Sequence, residues 1–200
     1  GLGTPEQPAW VGNHNLPTQE QGLMVLGTPH GHPAYVARRM QEIGAEHAQL
    51  LTALRALPEL QSSWLLLSLC ANTRAHYYLR TLPPSQSAAF ASQHDEAMRM
   101  ALSSLLDEPA ADVETLNRAA AVAQFPFRLD GLGLRRATRL LLAAYWASWA
   151  DSLPMIHQRH PGIAAYLLQS LQLPESSEAL SPSLQEARVA RNRLVDEGYE

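Results

Sequence analysis

Lysine is absent from this chain: all 15 basic residues are arginine. A guanidinium fork suits bidentate phosphate contact better than an ammonium does. GC-rich coding produces the same bias, so it carries little weight alone. Cysteine is nearly absent too. Cys70 stands alone at the end of Trp64-Leu-Leu-Leu-Ser-Leu-Cys, which rules out an internal disulfide and points to a reducing, intracellular setting. In that apolar run it reads as a small buried hydrophobe, not a nucleophile. Excess positive charge is lacking: the formal net charge is −4, which excludes a wholesale polyanion binder but not a local basic patch. No apolar run is long enough to span a bilayer, so no membrane partner is expected. The N-terminus is polar and rich in Gly and Pro, unlike a signal peptide. Its start at Gly1 instead of Met suggests a fragment or a processed product. There is no Walker-type loop, no Gly-x-Ser-x-Gly, no paired-aspartate strand and no internal repeat. The chain therefore reads as non-catalytic, with no cofactor implied.

What remains, in 200 residues of which 46% are hydrophobic, is enough for a real core. The pattern predicts a mainly α fold: a multi-helix bundle with a short N-terminal β element. Its organising stretch is Gly131–Asp151, where a Gly-Leu-Gly turn opens into a helix. Leu141, Tyr145 and Trp149 recur every four residues, as do Leu142, Trp146 and Ala150, giving a broad face that neighbours must cover. The same helix starts with Arg135, Arg136 and Arg139. Positive charge there opposes the helix dipole by roughly 0.3–1 kcal/mol per exposed charge, so a compensating anion is expected. It is either a phosphate held by backbone N–H groups and guanidinium groups, or a carboxylate such as Asp130. Such a carboxylate, or simple solvation, is favoured over phosphate, because Gly-x-Gly alone is a weak phosphate signal.

Residues 1–21 read as an irregular arm, with Trp10 packed on the body. Gly22–Gly31 reads as one strand, or half of a hairpin, needing a partner from the arm, from Phe125–Leu129 or from missing sequence. Pro33 starts a helix to about Leu57, with Val36, Met40, Ile43, His47, Leu50, Leu54 and Leu57 as its seam. A second helix, from Pro58 to about Leu82, makes an αα-hairpin with it. Leu60–Cys70 is apolar on nearly all sides and reads as central. Beyond it, Arg74, Tyr77, Tyr78 and Arg80 suit a nucleic-acid backbone and equally an ordinary helix edge. A third helix runs from about Ser85 to Leu106. His94 and Asp95 sit about 100° apart on it, which disfavours a catalytic pair. Then come an acidic turn (107–112), an alanine-rich helix (Val113–Ala123), an extended Phe125–Asp130, a bend or short helix at 152–161, a short helix at 162–173, a linker (174–183) and a weakly amphipathic last helix. His30, His32, His157 and His160 lack a nearby cysteine or a HExxH pattern, so no metal site is expected.

Several of these stretches, in order, carry a family resemblance. They are Gly22-Leu-Met-Val-Leu-Gly-Thr-Pro-His-Gly31, Trp64-Leu-Leu-Leu with Cys70, Arg74 with Tyr78-Leu-Arg80, and Phe90-Ala with His94-Asp95. Gly131-Leu-Gly-Leu134 and Ala144-Tyr-Trp-Ala-Ser-Trp-Ala-Asp151 complete the set. Together, over 22–161, they resemble the region downstream of the palm in reverse transcriptases of LINE-type (non-LTR) retrotransposons and in related open reading frames. The resemblance implies a primer-grip-like strand at Leu26 and Gly27, followed by a thumb-like helical domain over 22–173. It makes Arg74, Arg80, Arg135, Arg136 and Arg139 candidates for phosphate contact with an RNA–DNA or DNA duplex. The family's catalytic aspartates are not in this chain. The rival expectation is a helical protein–protein interaction module derived from a decayed retroelement.

Overall fold

The computed structural model describes residues 15–106, 112–172 and 181–199. Trp10 with most of the predicted arm, the acidic turn at 107–111 and residues 174–180 of the predicted linker lie outside them. The fold is mainly α, with one two-stranded antiparallel sheet near its start. In order come β1 (Gly22–Val25), β2 (Thr28–Gly31), α1 (Pro33–Arg55), α2 (Leu60–Leu65), a π-helix (Leu66–Ala71), α3 (Arg74–Thr81), α4 (Pro84–Leu105), α5 (Val113–Ala123), α6 (Ala137–Arg159), α7 (Pro161–Gln172) and α8 (Pro182–Asp196).

The Gly22–Gly31 run needs no outside partner, because it folds back on itself. Gly22 pairs with Gly31 and Val25 with Thr28, leaving Leu26-Gly27 as a two-residue turn with φ of 49° and 84°. Positive φ at both positions is the backbone of the hairpin turns that follow strand twist. Glycine adopts it freely; leucine does so at a cost.

α1 begins with Pro33, and the His32 side chain accepts a hydrogen bond from Ala34 N at 3.2 Å. Its buried residues are Val36, Met40, Gly44, His47, Leu51 and Leu54, so the seam drifts to Leu51 and leaves Leu57 exposed. Gly44 faces Gln93 of α4: a Cβ there would meet the end of that flexible side chain, Oε1, at 2.7 Å.

The predicted second helix is three pieces. At the π-helix, Asn72 N donates to Leu67 O, five residues back, at 2.9 Å. The wider turn shifts which side chains face inward. Ser63, Leu67, Ala71 and Asn72 are buried, whereas Leu60, Leu65, Leu66, Leu69 and Cys70 are exposed. The expectation that Leu60–Cys70 is covered on all sides, Cys70 included, is therefore overturned. Phe125–Asp130 is likewise not extended; it contains a 3₁₀ turn at Phe127–Leu129. α6 continues through Pro154 to Arg159, where a bend or separate short helix was expected. Pro154 and Ala150 both lie on the exposed side, so the carbonyl that proline leaves unpaired faces water.

α6 is the hub, packing against α3, α4, α7 and α8. One core cluster joins Leu51, Leu54, Leu67, Met98, Leu102 and Leu134. A second joins Val36, Met40, Leu79, Leu82, Phe90 and Ala137. The third joins Tyr145, Leu171, Leu184 and Ala187, so α8 is packed into the body. Glu186 of α8 also accepts from Ser85 N at 2.8 Å and Ser85 Oγ at 2.6 Å. A carboxylate at the start of α4 suits that helix's dipole.

Candidate nucleic-acid interface

α3 and α6 lie side by side and run the same way. At one end Asn72 Oδ1 accepts from Arg135 N at 3.3 Å; at the other Arg80 Nη2 donates to Asp151 Oδ2 at 2.7 Å. This divides the five candidate arginines. Arg74, Arg135, Arg136 and Arg139 belong to the end where both helices begin. Arg80 sits roughly 9 Å further along α3, at 1.5 Å per residue, and its charge is taken by Asp151. All five are exposed. Among the described residues the ion pairs are Arg39–Glu42, Arg80–Asp151, Arg99–Glu96 and Arg118–Glu114. None of them engages Arg74, Arg135, Arg136 or Arg139.

Among the described residues, the carboxylate that caps the start of α6 is not Asp130. It is Asp95, on α4. Its carboxylate accepts from Ala137 N at 2.7 Å, Thr138 N at 3.1 Å and Thr138 Oγ1 at 2.6 Å. Arg136 is the helix's N-cap residue and makes no side-chain cap bond, so a partner from another helix fills that role. Arg135 lies before the helix, so it does not share a helical face with Arg139.

The Gly131-Leu-Gly turn is not a phosphate cradle either, because its N–H groups are already used. Leu132 N and Leu134 N donate to Ala123 O, Gly133 N to Phe125 O and Gly131 N to Pro126 O, at 2.9–3.3 Å. They close the end of α5 and the turn after it. The glycines are there for space and conformation. A Cβ on Gly131 would meet Phe125 O at 2.0 Å, and Gly133 has φ +66°. The N–H groups of the turn are therefore not open to an anion, whereas the side chains of Arg135 and Arg136 are exposed.

Those side chains border a cleft of about 260 Å³ between α4, α5 and the start of α6. Met98, Leu102, Ala123 and Leu134 line its apolar part; Arg99, Arg135 and Arg136 lie on its border. Arg99 is locked to Glu96 by two hydrogen bonds, of 2.8 and 2.6 Å.

Behind this end the bundle buries imidazoles. His47 of α1 stacks on His94 of α4, centroids 4.8 Å apart, and both are at most 3% exposed. Among the described residues no group hydrogen-bonds to any of their four ring nitrogens. Burial, then the charges of His94 and Arg74, lowers the pKa of His47 to about 4. Burial also lowers His94, with Asp95 opposing the effect. His76 is lowered by burial and then by Arg135. Burial is the leading cause for all three and favours the neutral imidazole.

Leu26 and Gly27 form the hairpin tip, where Leu26 is 90% exposed. Tyr77 donates its hydroxyl to Leu26 O, and Thr28 Oγ1 donates to Thr81 Oγ1 at 3.1 Å. The tip is thus tied to the same face of α3 that carries Tyr77 and Thr81, apart from Arg135 and Arg136. Among the described residues, no group of three or more His, Cys, Asp or Glu could hold a metal ion, and no helix is long and apolar enough to cross a membrane.

Sequence reasoning missed Asp95 and Asn72, whose roles depend on helix packing, and Glu96, whose i,i+3 spacing to Arg99 was a local signal. A usable signal for Asp95 was its position on an otherwise packed helix, opposite a helix start that lacked a capping side chain. No family model, no curated protein and no solved structure matches this chain.

Proposed function

We propose that this chain is a non-catalytic, thumb-like fragment of a reverse-transcriptase-like protein. It binds the backbone of a nucleic-acid duplex without reading its sequence. The observation that carries this reading is the gathering of Arg74, Arg135, Arg136 and Arg139 at one end of α3 and α6 with no carboxylate partner among the described residues. Guanidinium groups left unpaired on a surface are the groups that displace counterions from phosphates. Asn72 and Asp95 fix the segment that presents Arg135 and Arg136, so its ordering cost is met before a ligand arrives.

The test is binding of the chain to an RNA–DNA duplex across a series of salt concentrations. Log affinity should fall with log salt by about 0.9 per phosphate contacted, so a slope of roughly −3 to −4 is expected for four arginines. The Arg135/Arg136/Arg139→Ala variant should lose most of that slope. Absence of binding at low salt removes the reading.

One observation favours a second reading, a protein interaction module. Leu57, Leu60, Leu65, Leu66 and Leu69 are each at least 40% exposed on neighbouring turns, and apolar surface of that kind marks association sites. Concentration-dependent sedimentation that Leu65→Glu/Leu69→Glu abolishes, without duplex binding, would favour it.

A further inference from the structure

We infer that the cleft between α4, α5 and the start of α6 takes a single unpaired nucleotide, its phosphate on Arg135 and Arg136 and its base on the apolar lining. This rests on the duplex-binding reading and extends it from backbone to strand end. The two halves of the cleft differ in chemistry in the way a nucleotide does. Met98, Leu102, Ala123 and Leu134 form its apolar floor, each at most 7% exposed, while Arg135 and Arg136 stand on consecutive residues of a segment held by Asn72. Consecutive guanidiniums can share one phosphate, whose three terminal oxygens accept several charge-assisted hydrogen bonds.

The other charges on the cleft are already committed. Asp95 is satisfied by the start of α6, and Glu96 by Arg99. Neither carboxylate is left to repel the ligand at full strength, and Arg135 and Arg136 set the sign. The Arg99 guanidinium, held in its plane by two hydrogen bonds, adds a flat face on which a base can stack without ordering a new side chain. The volume, about 260 Å³, suits one nucleotide and not a duplex. A nucleotide at the end of a strand can enter; paired bases cannot.

The experiment compares three duplexes: a blunt one, one with a single-nucleotide 5′ overhang ending in phosphate, and one with the same overhang ending in hydroxyl. Thymidine 5′-monophosphate serves as the free probe. The phosphorylated overhang should bind about tenfold more tightly than the hydroxyl form, and the Met98 methyl resonance should shift on adding the monophosphate. Ala120→Phe fills the cleft from the half-exposed face of α5 and leaves the arginines in place. It should erase the phosphate preference and the Met98 shift while blunt-duplex affinity stays as it was. Equal affinity for the phosphate and hydroxyl ends overturns the inference, as does a preference that survives in Ala120→Phe. Blunt-duplex binding with either of those results leaves the backbone reading standing. If no duplex binds yet the monophosphate shifts Met98 and Ala120→Phe abolishes the shift, the cleft is a nucleotide site and only the backbone reading falls.

Discussion

The two ends of the α3–α6 pair carry the same residue type in opposite states. At the far end Arg80 faces Asp151, and the charge is spent within the molecule. At the near end the cleft's carboxylates among the described residues, Asp95 and Glu96, are engaged elsewhere, and Arg135 and Arg136 have no ion-pair partner among those residues. Availability for binding is thus set by where carboxylates fall in the packed structure, not by the arginines themselves.

Acidification gives the largest effect that separates the ends. His47 and His94 lie behind the arginine end with lowered pKa values, His47 at about 4. The unfolded chain binds their protons first, so folding stability should be constant above about pH 6.5 and fall as pH drops from there towards 4. Each histidine contributes a slope of up to about 1.4 kcal/mol per pH unit. Urea denaturation at several pH values checks this, and His47→Phe should flatten the curve. Next is the carboxylate that secures the arginine segment. Asp95→Ala removes three accepted hydrogen bonds and a favourable charge at a helix start, a loss of about 2–3 kcal/mol. Asp95→Asn should recover part of it, and thermal unfolding of both variants decides. At the hairpin, Leu26→Asn should stabilise by about 0.5–1 kcal/mol, because asparagine tolerates the left-handed turn better. The smallest effect belongs to the far end: a double-mutant cycle on Arg80 and Asp151 should give about 0.2–1 kcal/mol. Arg80→Ala should leave the salt slope of duplex binding nearly unchanged where Arg136→Ala lowers it by about 0.9. Equal slope changes would mean that the Arg80–Asp151 pair opens on binding, and the contrast between the ends would disappear.

The helices were legible where local rules act alone. Pro33 marks the start of α1, the start of α4 falls one residue before the expected Ser85, and the four-three spacing of Val36, Met40 and His47 finds the buried face. Legibility failed where one segment answers to another. Leu26-Gly27 hid a hairpin because leucine is not a turn residue, and its position is held by Tyr77 from 51 residues away. The run Leu60–Cys70 looked central because composition cannot show that a π-turn moves several leucines outward. At the candidate interface all five arginines were nameable from sequence. Which of them stay unpaired was not, because Arg80 meets Asp151 across 71 residues and Asp95 reaches α6 across 42.

The Ser85–Glu186 contact spans 101 residues, and it orders events in time. On a ribosome, the start of α4 is made long before the carboxylate that caps it. The surface that Leu184 and Ala187 cover on Tyr145 and Leu171 also waits for α8. Docking of that last helix is a loop closure of high contact order, so it belongs to the slow, late part of folding. Until it happens, the nascent chain exposes apolar surface that chaperones recognise and that can aggregate.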